Sequence, residues 1–153
     1  MLESLVEYGY WGLLAASFLA ATILPFSSEL VLSLLVASGA DIWWCVGVAS
    51  LGNWGGGITN YWLGHLGKWE WIEKYLKVKR SKIETIAEKV QNRGAFIAFW
   101  SWLPVIGDPL ALALGLLRAH FWSVAAAMLT GKTLRYIVWA LTTLEVITWF
   151  QPV

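Results

Sequence analysis

Apolar residues run in long blocks along this chain, and the polar interruptions fall near the middle of the blocks. From Tyr8 to Ala40 the chain carries one charge, Glu29, and one proline, Pro25. A straight helix over that stretch would measure roughly 50 Å at about 1.5 Å per residue. That exceeds a hydrocarbon core of about 30 Å, while two full spans would need about 40 residues. The arithmetic predicts a re-entrant hairpin of two half-helices over 8–40, turning at Pro25-Phe26-Ser27-Ser28; a single tilted span is the alternative. Irregular backbone at membrane depth is tolerated only where protein or a wet cavity covers it.

The next block, 42–67, holds no charge and predicts one tilted transmembrane helix. Trp43 and Trp44 near its start, with Trp62, Trp69 and Trp71 toward its end, suit indole belts at two interfaces. The segment 68–93 then changes character: nearly half of it is charged, and Lys and Arg outnumber Glu two to one. The positive-inside rule puts it in the cytoplasm. Ser81 with Glu84 forms a capping box there, and Ile83, Ile86, Ala87 and Val90 make an apolar stripe, so the loop reads as an amphipathic helix.

The block 94–117 is broken by Pro104, Gly107, Asp108 and Pro109, which predicts a second, shorter re-entrant hairpin entering from the cytoplasmic side. A last apolar stretch, 119–150, predicts a transmembrane helix carrying Lys132 and Arg135.

Composition fixes the solvent. Over 153 residues, 58% are hydrophobic and 14% charged, with 12 Trp, against about 45–50% apolar and about 25% charged in an average soluble domain. With a mean hydropathy of +0.61, the chain reads as a single all-α integral membrane domain, 1–153. A formal net charge of +1 argues against nucleic-acid binding. Cys45 is the only cysteine, so no disulfide or zinc spacing exists, and no HExxH, GxSxG or Walker A motif is present. The expectation is of no enzyme, no metal and no cofactor.

Laid over itself so that Leu24-Pro25 falls on Leu103-Pro104, the sequence also brings Glu29 onto Asp108, Trp43 onto Trp122 and Gly52 onto Gly131. Each half then reads as a broken hairpin, a carboxylate and a long helix. With one crossing and the basic loop between them, the halves would be inverted repeats, as in secondary transporters.

Glu29 is the most informative residue. A carboxylate near the bilayer centre costs on the order of 2.5–3.5 kcal/mol, so it must face a cavity, pair with a cation or hold a proton. It is a candidate proton site, and equally a cap for the second half-helix. Asp108, between Gly107 and Pro109, is its counterpart, with the same two roles open. Lys132 and Arg135 lie one turn apart on one helix face and need Glu29, Asp108 or an anionic ligand as partners. A phosphate-bearing head group would use both cations and the half-helix N-termini; a permanent salt bridge is the alternative. Asn53 and Asn60, two turns apart, are candidates to hydrogen-bond broken backbone, with packing as the simpler role.

The run Leu24-Pro25-Phe26-Ser27-Ser28-Glu29, then Gly52-Asn53, Gly56, Asn60-Tyr61 and Gly64-His65-Leu66-Gly67, then Leu103-Pro104, Gly107-Asp108 and Gly131-Lys132-Thr133-Leu134-Arg135-Tyr136, resembles the DedA family (the VTT, or SNARE-associated, domain superfamily), most closely its short YqaA-like branch. The resemblance implies a multi-pass bacterial inner-membrane protein with two opposed re-entrant hairpins, a fold shared with eukaryotic lipid scramblases. It also implies a role in moving undecaprenyl phosphate or a phospholipid across the membrane, dependent on proton motive force and on acidic residues near the first hairpin. Many members carry arginines near the positions of Ser101 and Gly107 and a Gly-Arg where Gly64-His65 stands; this chain has none there. Lys132 and Arg135 are the available replacements. The expected partners are membrane lipids and protons, and homo-oligomerisation is left open. A small-ion or drug/proton antiporter using the same acids, and a non-transporting envelope-assembly protein working through the basic loop, are the alternative readings.

Overall fold

The computed structural model describes residues 2–22, 28–67, 80–103 and 107–150. The elements are α1 (Leu2–Thr22), α2 (Ser28–Ala37), α3 (Ile42–Leu66), α4 (Arg80–Phe99), a 3-10 turn (Trp100–Trp102), α5 (Gly107–Leu116) and α6 (Phe121–Phe150), so among the described residues all regular structure is helical. The turn expected at Pro25, the break at Pro104 and the loop residues 68–79, with Trp69 and Trp71, lie outside the described residues. So do the side chains of Glu84 and of the apolar stripe expected on the basic segment. α4 runs unbroken through Gly94, so the polar segment and the first limb expected of the second hairpin belong to one helix. The sequence changes from charged to apolar there without any proline to stop it.

The helix ends follow from local chemistry. α2 stops at a left-handed residue, Gly39 (φ 92°), where the Ala40 N–H donates to the Leu35 carbonyl (3.0 Å) and the Gly39 N–H to Val36 (3.1 Å). This bond pair closes a helix on a residue that needs positive φ. Asp41 then caps α3, its Oδ1 accepting from the N–H groups of Trp43 and Trp44, both at 2.9 Å.

The same construction returns in the second half of the chain. α5 ends at Arg118 (φ 53°), with Ala119 N–H donating to Leu114 (3.0 Å) and Arg118 N–H to Gly115 (2.9 Å). His120 stands where Asp41 stood, its Nδ1 accepting from the Ser123 N–H at 3.4 Å. The starts of α2 and α5, their ends, and the starts of α3 and α6 are all separated by the interval that lays Glu29 on Asp108. The repeat is therefore sharper in hydrogen bonding than in residue identity. Its second copy holds an arginine in a left-handed conformation that costs a non-glycine residue roughly 1–2 kcal/mol.

The chain forms two compact units, Met1–Gly56 with Lys132–Val153, and Gly57–Gly131, the division falling inside α3 and α6. In the first unit Leu13, Leu32, Val36, Ala40, Cys45, Val46, Ala49, Tyr136 and Ala140 form the buried core. The Tyr10 hydroxyl accepts the Asp41 N–H (3.1 Å), tying α1 to the corner before α3. In the second unit α3 and α5 meet backbone to backbone: a Cβ on Gly64 would strike the Leu112 carbonyl, and one on Gly115 the Tyr61 carbonyl. Only glycine permits that approach.

The distribution of polarity is inside out. Ser17, Ser28, Glu29, Ser50, Asn53, Asn60 and Lys132 are buried, while Leu34, Trp43, Trp44, Trp122 and Trp149 are 61–87% exposed. Exposed apolar surface on this scale marks a surface built for lipid or for a partner. Among the described residues no helix is long and apolar enough to cross a membrane. The cause is visible in sequence. α3 is rich in glycine and carries Asn53 and Asn60, and α6 carries Lys132, Arg135 and Glu145.

Candidate functional site

The buried polar residues of the first unit converge where α2 begins. Ser28 opens α2, and its Oγ lies 2.7 Å from the Tyr136 hydroxyl on α6, with both side chains buried. Glu29 follows, in the first helical turn where the macrodipole favours a carboxylate. It forms an ion pair with Arg135, whose guanidinium carbon lies 5.8 Å from the Tyr136 ring centroid. Lys132, Arg135 and Tyr136 are spaced i, i+3, i+4 on α6 and so share a face. One helical face thus brings two cations and a phenol to the first unit's interior.

Beyond the ion pair, Lys132, 1% exposed, donates to the Asn53 side-chain carbonyl on α3. The Asn53 amide in turn donates to the Ser17 main-chain carbonyl of α1 (3.2 Å). Asn53 therefore bonds the backbone of an intact helix and a lysine, a role neither packing nor broken backbone anticipates. Ser17 carries no signal in the sequence, and Tyr136 only its place beside Arg135 at the end of the Gly131-Lys132-Thr133-Leu134-Arg135-Tyr136 run. A short polar seam continues between α2 and α6, with Trp139 Nε1 donating to Ser33 Oγ (3.0 Å) and Ser33 Oγ lying 3.0 Å from Thr143 Oγ1.

In the second unit Gly107 and Asp108 open α5, Gly107 buried and its N–H bonded to the Leu103 carbonyl (3.0 Å). Asp108 is half-buried, Pro109 exposed and Asn60 buried on α3; Asp108 and Asn60 each have an interaction partner. The Tyr61 hydroxyl donates to the Ala119 carbonyl at the corner before α6, and the Tyr61 ring stacks on His65 at 6.0 Å.

A guanidinium and a buried carboxylate are thus held as an ion pair at the start of α2. Among the described residues the site holds no nucleophile and base pair suited to covalent chemistry.

Residues 24–144 match the VTT domain. The chain is 33% identical to "Inner membrane protein YqaA" of Escherichia coli (strain K12), over 92% of this chain and 95% of the relative, and to the protein of that name in Shigella flexneri to the same extent. It is 30% identical to an uncharacterized protein of Haemophilus influenzae, over 80% of this chain and 79% of the relative. No solved structure matches. The chain accordingly belongs to the VTT-domain, or DedA, family of membrane proteins, as a YqaA-like member.

Proposed function

We propose that this protein is a transporter or flippase of the bacterial inner membrane that moves a phosphate-headed lipid, undecaprenyl phosphate or a phospholipid, between leaflets with proton coupling. The observation that carries the reading is the Glu29–Arg135 ion pair, set at the start of α2 in a unit whose outer surface is apolar. A buried pair is poor evidence for stability, because desolvation offsets much of its attraction. Intramembrane ionisable groups mark ion and substrate pathways. In the proposed cycle, Glu29 takes up a proton, Arg135 is released toward an anionic head group, and Asp108 plays the matching part from the other repeat. Asn53 and Lys132 occupy equivalent positions of the two repeats and hydrogen-bond each other. A contact between equivalent positions is what a two-fold relation between repeats requires at its axis, which supports inverted repeats.

The test is reconstitution in liposomes with undecaprenyl phosphate, followed between leaflets with and without a pH gradient. The parent is expected to move lipid faster with the gradient, and Glu29→Gln to lose that response. Should Glu29→Gln and Arg135→Ala both move lipid as fast as the parent, the reading falls.

Orientation has its own test. In a Cys45→Ser background, a thiol reagent confined to the cytoplasmic side should label Ser81→Cys on α4, which is exposed. Labelling only from the opposite side would invert the topology.

A further inference from the structure

We infer that Lys132, Asn53, Ser17 and Ser50 form an oxyanion-binding subsite of their own, distinct from the Glu29–Arg135 pair. The inference rests on the proposed movement of a phosphate-headed lipid and says which cation holds the phosphate. All four residues are buried, with Ser17 at 0% and Ser50 at 3% exposure. Asn53 bridges Ser17 and Lys132: its amide donates to the Ser17 carbonyl of α1, and its carbonyl accepts from Lys132 of α6. A Cβ built on Gly52 would sit 3.0 Å from the Ser17 Cβ, so the serine side chain lies directly against α3 beside Asn53. Ser50 precedes Asn53 by one turn, about 4.5 Å along the axis and on the same buried face.

The decisive feature is that the Ser17 and Ser50 hydroxyls have no hydrogen-bond partner. A helical serine often bonds back to the carbonyl four residues earlier, and neither does so. Two orphan buried hydroxyls, with an asparagine amide that already binds a buried ammonium, can offer several donors at once, which suits an oxygen anion. The guanidinium of Arg135 meets a carboxylate, and the Lys132 ammonium donates to the Asn53 side-chain carbonyl, whose amide in turn reaches the Ser17 main chain. Arg135 answers to the protonation of Glu29, and Lys132 with the two hydroxyls grips the phosphate oxygens. The shared ligand chemistry is a phosphate oxyanion, whether on a lipid or free.

Isothermal titration of the purified full chain in detergent, with short-chain phosphatidate, inorganic phosphate and short-chain diacylglycerol as probes, tests this directly. The parent should bind phosphatidate and ignore diacylglycerol. Inorganic phosphate binding with the same serine dependence would identify free phosphate as sufficient, and phosphatidate binding alone would identify the lipid head group. Ser17→Ala and Ser50→Ala should each weaken binding about tenfold, the loss of a hydrogen bond to a charged group, and Lys132→Gln should weaken it further. Without ligand, both alanine variants should be at least as heat-stable as the parent, because each removes an orphan hydroxyl. A merely structural serine would do the reverse. A parent that binds neither phosphate probe overturns the subsite, and so does unchanged affinity in Ser17→Ala and Ser50→Ala, with or without reduced ligand-free stability. If binding behaves as expected but the parent moves no lipid between leaflets, the subsite stands and the transport reading fails.

Discussion

Arg135→Ala is expected to destabilise the protein by about 3–5 kcal/mol, the largest effect of any single charge removal in the first unit. The loss comes from the partner left behind. Glu29 is nine-tenths buried at the start of α2, and removing the guanidinium takes away the cation with which its carboxylate forms an ion pair. Neutralising Glu29 as well, in Glu29→Gln/Arg135→Ala, should recover most of the loss, because a polar amide in that place costs far less than a charge. Thermal unfolding followed by tryptophan fluorescence reads parent, single and double variants. An Arg135→Ala midpoint equal to the parent's would remove the ion pair from any structural role.

α2 and α6 are joined by a second contact beside the ion pair. The Ser28–Tyr136 hydroxyl pair lies one residue away on both helices. A break in the ion pair therefore leaves α2 and α6 joined, and the charged groups can separate without the helices parting.

The helices themselves were legible because block length and charge placement are local properties. The boundaries near Gly39, Asp41 and Arg118 follow from caps written within a few residues. The repeat was legible as an offset, although identity alone understated it: Arg118 does with a strained backbone what Gly39 does freely. The continuity of α4 across Gly94 was not legible, since composition changes there and a lone glycine does not stop a helix. Partner choice was illegible for a different reason. Lys132 and Arg135 face one side of α6, and only the packing of α2, α3 and α6 decides that one meets Asn53 and the other Glu29. Ser17 and Ser50 could not be singled out at all, because a serine in an apolar helix ordinarily satisfies itself on its own backbone. The span expectation for 42–67 and 119–150 met helices at both places, though glycine, asparagine and charge keep their hydropathy below that of an ordinary crossing.

Gly115→Ala is expected to cost about 3 kcal/mol, and the same change at Gly47 to gain up to about 1 kcal/mol. The contrast isolates packing from propensity, since both add one methyl group to a helix. At Gly47 a Cβ meets nothing within 4 Å, so only the intrinsic preference of helices for alanine over glycine remains. At Gly115 it meets the Tyr61 carbonyl oxygen and carbon, which are main-chain atoms of α3 and cannot rotate away. The two helices must separate, and Gly64→Ala should force the same separation from the other side, against the Leu112 carbonyl. Once apart, they are apart for both methyl groups, so the double variant should lose markedly less than the sum of the singles. Additive losses, or a Gly115→Ala protein as stable as the parent, would mean that α3 and α5 do not touch through these glycines. The functional reading is exposed to the same test. Asp108 lies two turns before Gly115 on α5, so a displaced α5 moves the second acid, and Gly115→Ala should slow lipid movement even at temperatures where the protein stays folded.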